Sequence, residues 1–274
     1  MIGTQSGYWY CPHFLSALSI PYHRLISPSR MELTRVFLAS PALMVRFPSF
    51  LDSTGKEGGL FLCADRAYDF HSLQPRTRTM TRRGLENCRM EQVDFSFLAE
   101  HGHSLNVQTF LRQGRATDSM TEQQWRSYCM AASQIAGFEA WCAFVGGQLA
   151  AFMVTALVEE YLSILHVGSA TQCLPSYPSN ALVFTVTKQQ LSRPEVGCVS
   201  YGLKSLDDTA GLDRFKMHMG FALKPFKECI VLNPLVRPIF FLGGQRLVQW
   251  MAERYPKSDL WRKASKALAI AQTK

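Results

Sequence analysis

The chain is poor in charge. Only 18% of its 274 residues are Asp, Glu, Lys or Arg, against 47% apolar. That balance excludes wholesale disorder and predicts a globular core. Long hydrophobic runs are missing too: the longest, Leu149–Val158, is too short to cross a bilayer. The opening MIGTQSGYWYCPHF has no basic stretch followed by an apolar one, so no signal peptide is expected. No two of the eight cysteines have CxxC spacing, which excludes a metal knuckle and makes a reducing cytoplasm the simplest setting. Gly-x-Ser-x-Gly, P-loop, dinucleotide and HExxH patterns are all absent. Serine hydrolase, ATPase, dehydrogenase and zinc protease chemistry lose their support with them. No ligand cluster for magnesium or zinc is present.

What is there begins with arginine. The net charge is +8, and Arg76–Arg89 (RTRTMTRRGLENCR) holds five arginines and one glutamate. Clustered guanidinium groups suit phosphate on a nucleotide, a tRNA or an anionic lipid surface. Arg76, Arg78, Arg82 and Arg83 are the candidate polyanion contacts. A solvated basic helix is the equal alternative, because the run has no aromatic interleaving.

Read for elements, the first part is uneven. Tyr8–Leu18 is aromatic and predicts a buried helix, Glu32–Leu38 a second. Leu43–Phe50 and Leu60–Cys63 read as strands, expected side by side. Leu73–Asn87 is the arginine-rich helix, Arg89–Phe95 a strand, and Ser96–His101 and Asn106–Arg112 are helices. The second part is clearer. Thr121, with Gln124 three residues on, is a capping box opening a helix to Gly137. Phe138–Val145 and Gln148–Val158 flank Gly146-Gly147, a primed two-residue hairpin turn. Tyr161–Gly168 is a third strand and Asn180–Leu191 a helix. Val196–Tyr201 is a strand, Asp207 or Asp208 caps a helix with apolar Leu212, Phe215 and Met219, and Phe221–Leu232 closes as a strand. On periodicity alone Lys216 is solvated. Arg246–Arg254 and Leu260–Ile270 predict two amphipathic tail helices lying on the domain.

The words SLDDTAGLDRFKMHMGF, and the order helix, hairpin, strand, helix, strand, helix, strand over Met120–Leu232, resemble the GNAT superfamily in its FemAB-like branch. There a Leu-x-x-Phe-Lys-x-x-x-Gly-Phe run recurs. TRTMTRRGLENCRME is similar to the Arg-x-x-x-Arg-Arg-x-Leu helix of the same proteins. The resemblance implies an α/β fold: a GNAT-like mixed, twisted sheet flanked by helices, in two GNAT-like halves with a C-terminal helical tail. Its divisions are residues 1–118 (degenerate half), 119–232 (acyltransferase half) and 233–274 (tail). It further implies transfer of an acyl or aminoacyl group from a thioester or ester donor to the amine of a small molecule or peptide. Acyl-CoA such as acetyl-CoA is the expected donor, aminoacyl-tRNA the alternative. A catalytically silent fold that binds a polyanion or protein is the competing reading.

Acyl transfer to an amine needs a held donor, a deprotonated acceptor and a stabilised oxyanion. A helix N-terminus offers N–H groups to phosphate, so the loop from Gly168 and Ser169 to Ser179, Asn180 and Ala181 is the candidate donor site. It reads HVGSATQCLPSYPSN, not the Gln/Arg-x-x-Gly-x-Gly/Ala motif of ordinary CoA-binding members. His166 is the candidate base and Tyr201 the candidate acid for the leaving group, both near strand ends beside the expected cleft. Glu139 is the third candidate, if burial raises its pKa.

Overall fold

The computed structural model describes residues 1–13, 16–114, 119–204, 210–235, 238 and 245–255. Strands are β1 (Ile2–Thr4), β2 (Gly7–His13), β3 (Ser16–Ile20), β4 (Met44–Ser49), β5 (Lys56–Cys63), β6 (Arg89–Val93), β7 (Phe138–Val145), β8 (Gln148–Val158), β9 (Tyr161–Ser169), β10 (Cys198–Leu203) and β11 (Ala222–Leu232). Helices are α1 (Arg30–Leu38), α2 (Pro75–Asn87), α3 (Phe95–His101), α4 (His103–Arg112), α5 (Glu122–Ser133), α6 (Pro178–Leu191), α7 (Ala210–His218) and α8 (Gln245–Arg254). They fall into two compact units, Met1–Leu60 with Lys224–Lys274, and Phe61–Leu223.

In the first unit the strand order is β1-β2-β3-β4-β11-β5. The predicted helix over Tyr8–Leu18 is corrected to strands β2 and β3. Trp9 is fully buried while Tyr8 and Tyr10 are exposed, a period of two that a strand satisfies and a helix does not. Leu43–Phe50 and Leu60–Cys63 are not neighbours either, because β11 separates β4 from β5. Register on β4 runs Cys229↔Phe47 and Val231↔Val45. This sets those side chains on one face with Trp9, under α1. Ser29 and Glu32 close a reciprocal capping box at the start of α1.

In the second unit β9, β8, β7 and β6 form an antiparallel run and β10 adds parallel to β9, making a mixed sheet. The hairpin is as expected: β7 and β8 pair antiparallel, and Gly146 and Gly147 both take the left-handed conformation (φ 55° and 82°) that a primed turn demands. Alternation sorts the sheet into two faces. Trp141, Ala151 and Met153 pack with α6, Met219 and Phe221. Ala140, Cys142, Phe152 and Val154 pack with Leu98 and with Trp125 and Cys129 of α5. Helix α6 is buried almost all round, as expected for a helix packed on more than one side. Seven of the eight free cysteines are buried and act as small apolar groups. Burial pushes the thiols of Cys88 and Cys129 up to about 11 and that of Cys142 to about 12.

Asp207, Asp208 and the helix expected at Leu260–Ile270 lie outside the described residues. The first tail helix is α8. Among the described residues no helix is long and apolar enough to cross a membrane.

Candidate active site

The site is defined by where two strands stop pairing. β9 and β10 pair through Tyr161↔Cys198, Leu162↔Val199 and Ser163↔Ser200. Beyond these, Ile164–Ser169 and Tyr201–Leu203 diverge. Two local features account for it. Opposite β8, Val154 pairs with His166 and Thr155 with Ile164, so Leu165 is an extra residue. Such a bulge bends its strand and raises its twist. On β10, Gly202 takes φ 74°, which only glycine adopts freely. The result is a gap between two parallel strands, with Tyr201 and Leu203 on its β10 wall.

Lys216 supplies the charge at that wall, and it is not solvated. It is 4% exposed. Its Nζ donates to the carbonyl of Leu203 at 2.8 Å and to Asp213 Oδ1 at 3.2 Å. The ammonium sits 4.7 Å from the Phe61 ring centroid and 6.0 Å from that of Tyr201. Burial lowers its pKa, and Asp213 acts in the opposite sense. The spacing held a signal for this. Leu212, Phe215, Lys216 and Met219 fall at i, i+3, i+4 and i+7, so Lys216 belongs to the buried stripe of α7.

Tyr201 shares this layer. Its ring packs edge-on against Phe215 and Phe221, at 6.2 and 5.3 Å. Burial raises its pKa, so it keeps its proton. His166 is elsewhere. Its imidazole meets Tyr128 at 5.0 Å and Trp125 at 6.4 Å, on the α5 face, and burial lowers its pKa. His166 and Tyr201 therefore point into opposite layers of the sheet and do not converge on one acyl centre. Glu139 is already occupied. Its carboxylate accepts from Arg193 Nη1 and Gln190 Nε2, each at 2.5 Å, and from Trp141 Nε1 at 3.1 Å. It ties the start of β7 to the end of α6.

Several residues expected around the donor phosphate are packed or hydrogen-bonded within the protein. A Cβ on Gly168 would fall 2.2 Å from Phe152 Cε1, so the glycine makes room for a ring, not for a phosphate. Ser169 Oγ accepts from Arg112 Nη2 at 2.8 Å, and its N–H donates to Thr109 Oγ1 at 2.9 Å. Helix α2 leans on the first turn of α6: a Cβ on Gly84 would lie 2.7 Å from the Tyr177 carbonyl and 3.0 Å from Ala181 Cβ. Asn180 is buried, with Nδ2 3.8 Å from Met219 Sδ. Ser179, half-buried, is the one member without such a partner. Helix α2 thus occupies one side of the turn whose N–H groups a pyrophosphate would need. The α4 clamp of Gln108, Thr109 and Arg112 on Ser169 and Thr171 left no mark in the sequence, because polar residues at the end of a helix read as solvated.

Of the four arginines, Arg76, Arg82 and Arg83 are exposed on α2. Arg78 turns back, with Nη2 donating to the Leu73 carbonyl at 3.2 Å. Among the described residues no group of three or more His, Cys, Asp or Glu is placed to hold a metal.

No family model matches this chain, and a comparison with curated proteins gives no match. Solved structures do match. The chain superposes on FemX with a TM-score of 0.60 at 11% identity, over 85% of this chain and 84% of that one. It also superposes on the C-terminal domain (DUF2156) of a putative lysylphosphatidylglycerol synthetase from Agrobacterium fabrum. There the TM-score is 0.51 at 12% identity, over 87% and 84% of the two chains. The architecture is thus the GNAT-like, FemAB-type fold, a mixed sheet flanked by helices.

Proposed function

We propose that the protein is an N-acyltransferase that moves an acyl or aminoacyl group from a thioester or ester donor to a primary amine. The observation that carries the reading is the gap between β9 and β10 with the Lys216 ammonium buried at its β10 wall. Attack of an amine on the donor carbonyl forms a tetrahedral oxyanion. A fixed cation in a water-poor site stabilises that charge far better than one in solvent. Lys216 is assigned this part. Tyr201, in the same layer and holding its proton, is assigned protonation of the leaving oxygen or sulfur as the intermediate collapses, its phenolate then taking up the proton shed by the attacking amine. His166 packs α5 against the sheet, and Glu139 anchors the end of α6. FemX shares the fold, and eight free thiols suit a reducing cytoplasm.

A second reading, a fold without catalysis that binds a polyanion, is favoured by one observation: α2 packs against the N-terminal turn of α6, where the phosphates of CoA were expected. Acyl-CoA of several chain lengths and aminoacyl esters, each mixed with a panel of primary amines, decide between the two by mass spectrometry of the products. Transfer that Lys216→Gln abolishes, with folding intact, supports the enzyme. No product from any pairing, or full transfer by Lys216→Gln, removes it.

A further inference from the structure

We infer that a cavity between α3, α5 and the start of β7 binds a small organic cation, a primary ammonium carried on an apolar body. The cavity follows from how β6 ends. β6 leaves β7 after the pair Val93↔Ala140, and the chain turns at Asp94 into α3. A wedge opens between the departing helix and β7, with α5 along it. Its volume is about 340 Å³, at the lower end of the range for small-molecule sites.

The wedge is separate from the gap. β8 and β9 lie between β7 and the gap, two strand spacings or about 10 Å. Its buried residues Phe95, Cys129 and Ala140 belong to the α5 layer, whereas Tyr201 packs in the α6 layer.

The lining selects the occupant. Phe95, Cys129 and Ala140 make its inner part apolar. Phe138 and Met130 also line it, and Met130 is 69% exposed, a flexible thioether able to adapt to what it covers. Among the described residues no Lys, Arg or His lines the cavity, so an anion finds no partner. Two acidic residues do line it, and they differ. Glu139 already accepts from Arg193, Gln190 and Trp141. Asp94 stands at the N-cap of α3 without making the capping hydrogen bond. Among the described residues its carboxylate has no hydrogen-bond or ion-pair partner.

A neutral apolar ligand would strip water from that carboxylate and return nothing. An ammonium replaces the water with a charge-assisted hydrogen bond, and the Phe138 ring and the apolar inner part suit the rest of such a molecule. A metal ion finds too few ligands, since among the described residues no three His, Cys, Asp or Glu are placed together. The Cys129 thiol is held protonated by burial, so the cavity holds its ligand without reacting with it.

Calorimetry on the full chain at pH 7 tests this with three probes of one shape: 2-phenylethylamine, 2-phenylethanol and 3-phenylpropanoate. The amine is expected to bind with a Kd on the order of 0.1–1 mM, the alcohol about fivefold more weakly, and the carboxylate not at all. Asp94→Asn should bring the amine to the affinity of the alcohol and leave the alcohol unchanged. Ser133→Phe, which places a ring in the cavity from the exposed side of α5, should remove both. Thermal melts confirm that the variants fold. No binding of the amine at millimolar concentration overturns the inference. So does equal binding of amine and alcohol, binding of the carboxylate, or an amine affinity that ignores Asp94→Asn, which would place the amine elsewhere on the protein. None of these measurements uses acyl transfer, so this inference and the acyl-transfer reading stand or fall separately.

Discussion

Gly168→Ala separates two meanings of one glycine. Beside a donor loop, glycine lets a phosphate approach the backbone; in this sheet it sits opposite Phe152 on β8. An added Cβ would lie 2.2 Å from Cε1, 2.6 Å from Cζ and 3.0 Å from Cδ1 of that ring. Ordinary carbon contacts need about 3.5–4.0 Å. The ring has nowhere to go, being fully buried and 5.1 Å from Trp125. Overpacking of this kind costs about 1–3 kcal/mol and occasionally more. A shortfall above an ångström, with neither partner free to move, puts this case at about 3. Loss of glycine entropy in the unfolded chain returns up to about 1 kcal/mol. The net expectation is about 2 kcal/mol of destabilisation, or a fall in Tm of about 4–8 °C for a chain of this size. Phe152→Leu alone should also destabilise, by about 1–2 kcal/mol, through the void it leaves. Together the two should cost less than their sum by about 1 kcal/mol or more, because the smaller side chain vacates the space the methyl needs. Urea titrations of the four proteins measure this. Strict additivity would refute the packing argument. So would a Gly168→Ala protein that melts like wild type yet has lost its acyl donor.

Two further expectations concern charge. The Lys216 ammonium has a pKa below the ordinary lysine value, so between the folded and unfolded values the unfolded chain holds a proton that the folded chain has released. Stability therefore rises with pH across that window, and transfer, if it uses the ammonium, falls as pH rises through the lowered value. Lys216→Arg should erase the alkaline limb of the rate profile while Lys216→Gln removes the rate at every pH; identical profiles for wild type and Lys216→Arg would show that this group does not set the limb. Glu139→Ala strands the N–H groups of Trp141 and Gln190, which are 5% and 1% exposed; at about 1–3 kcal/mol for each buried donor, urea titration should show a loss of at least about 2 kcal/mol, with kcat of the folded fraction unchanged. A catalytic Glu139 would reverse that pattern.

Local chemistry was enough for much of the fold. The hairpin turn Gly146-Gly147, the capping box at Thr121 and the alternation of β8 are properties of neighbouring residues, and the structure has each in place. The aromatic opening misled because Tyr8–Leu18 is apolar at both periods, and only pairing of β2 with β3 chooses between them. The insertion of β11 between β4 and β5 could not be foreseen, since strand order is a long-range choice between chain segments far apart in sequence. The site divides in the same way. The Phe-Lys pair of α7 and the strand ending at Tyr201 were visible as a motif, and the stripe spacing of Lys216 carried its burial. The face on which His166 lands depends on the bulge at Leu165, the partners of Glu139 come from α6, and the space beside Gly168 is filled from β8. Sequence by itself determined most of the strands and helices, though not those of the aromatic opening, and which side chains are able to carry charge. Tertiary structure alone decided which of them meet, because a hydrogen bond or a ring contact is a property of distance, and distance between segments is set only when the sheet has assembled.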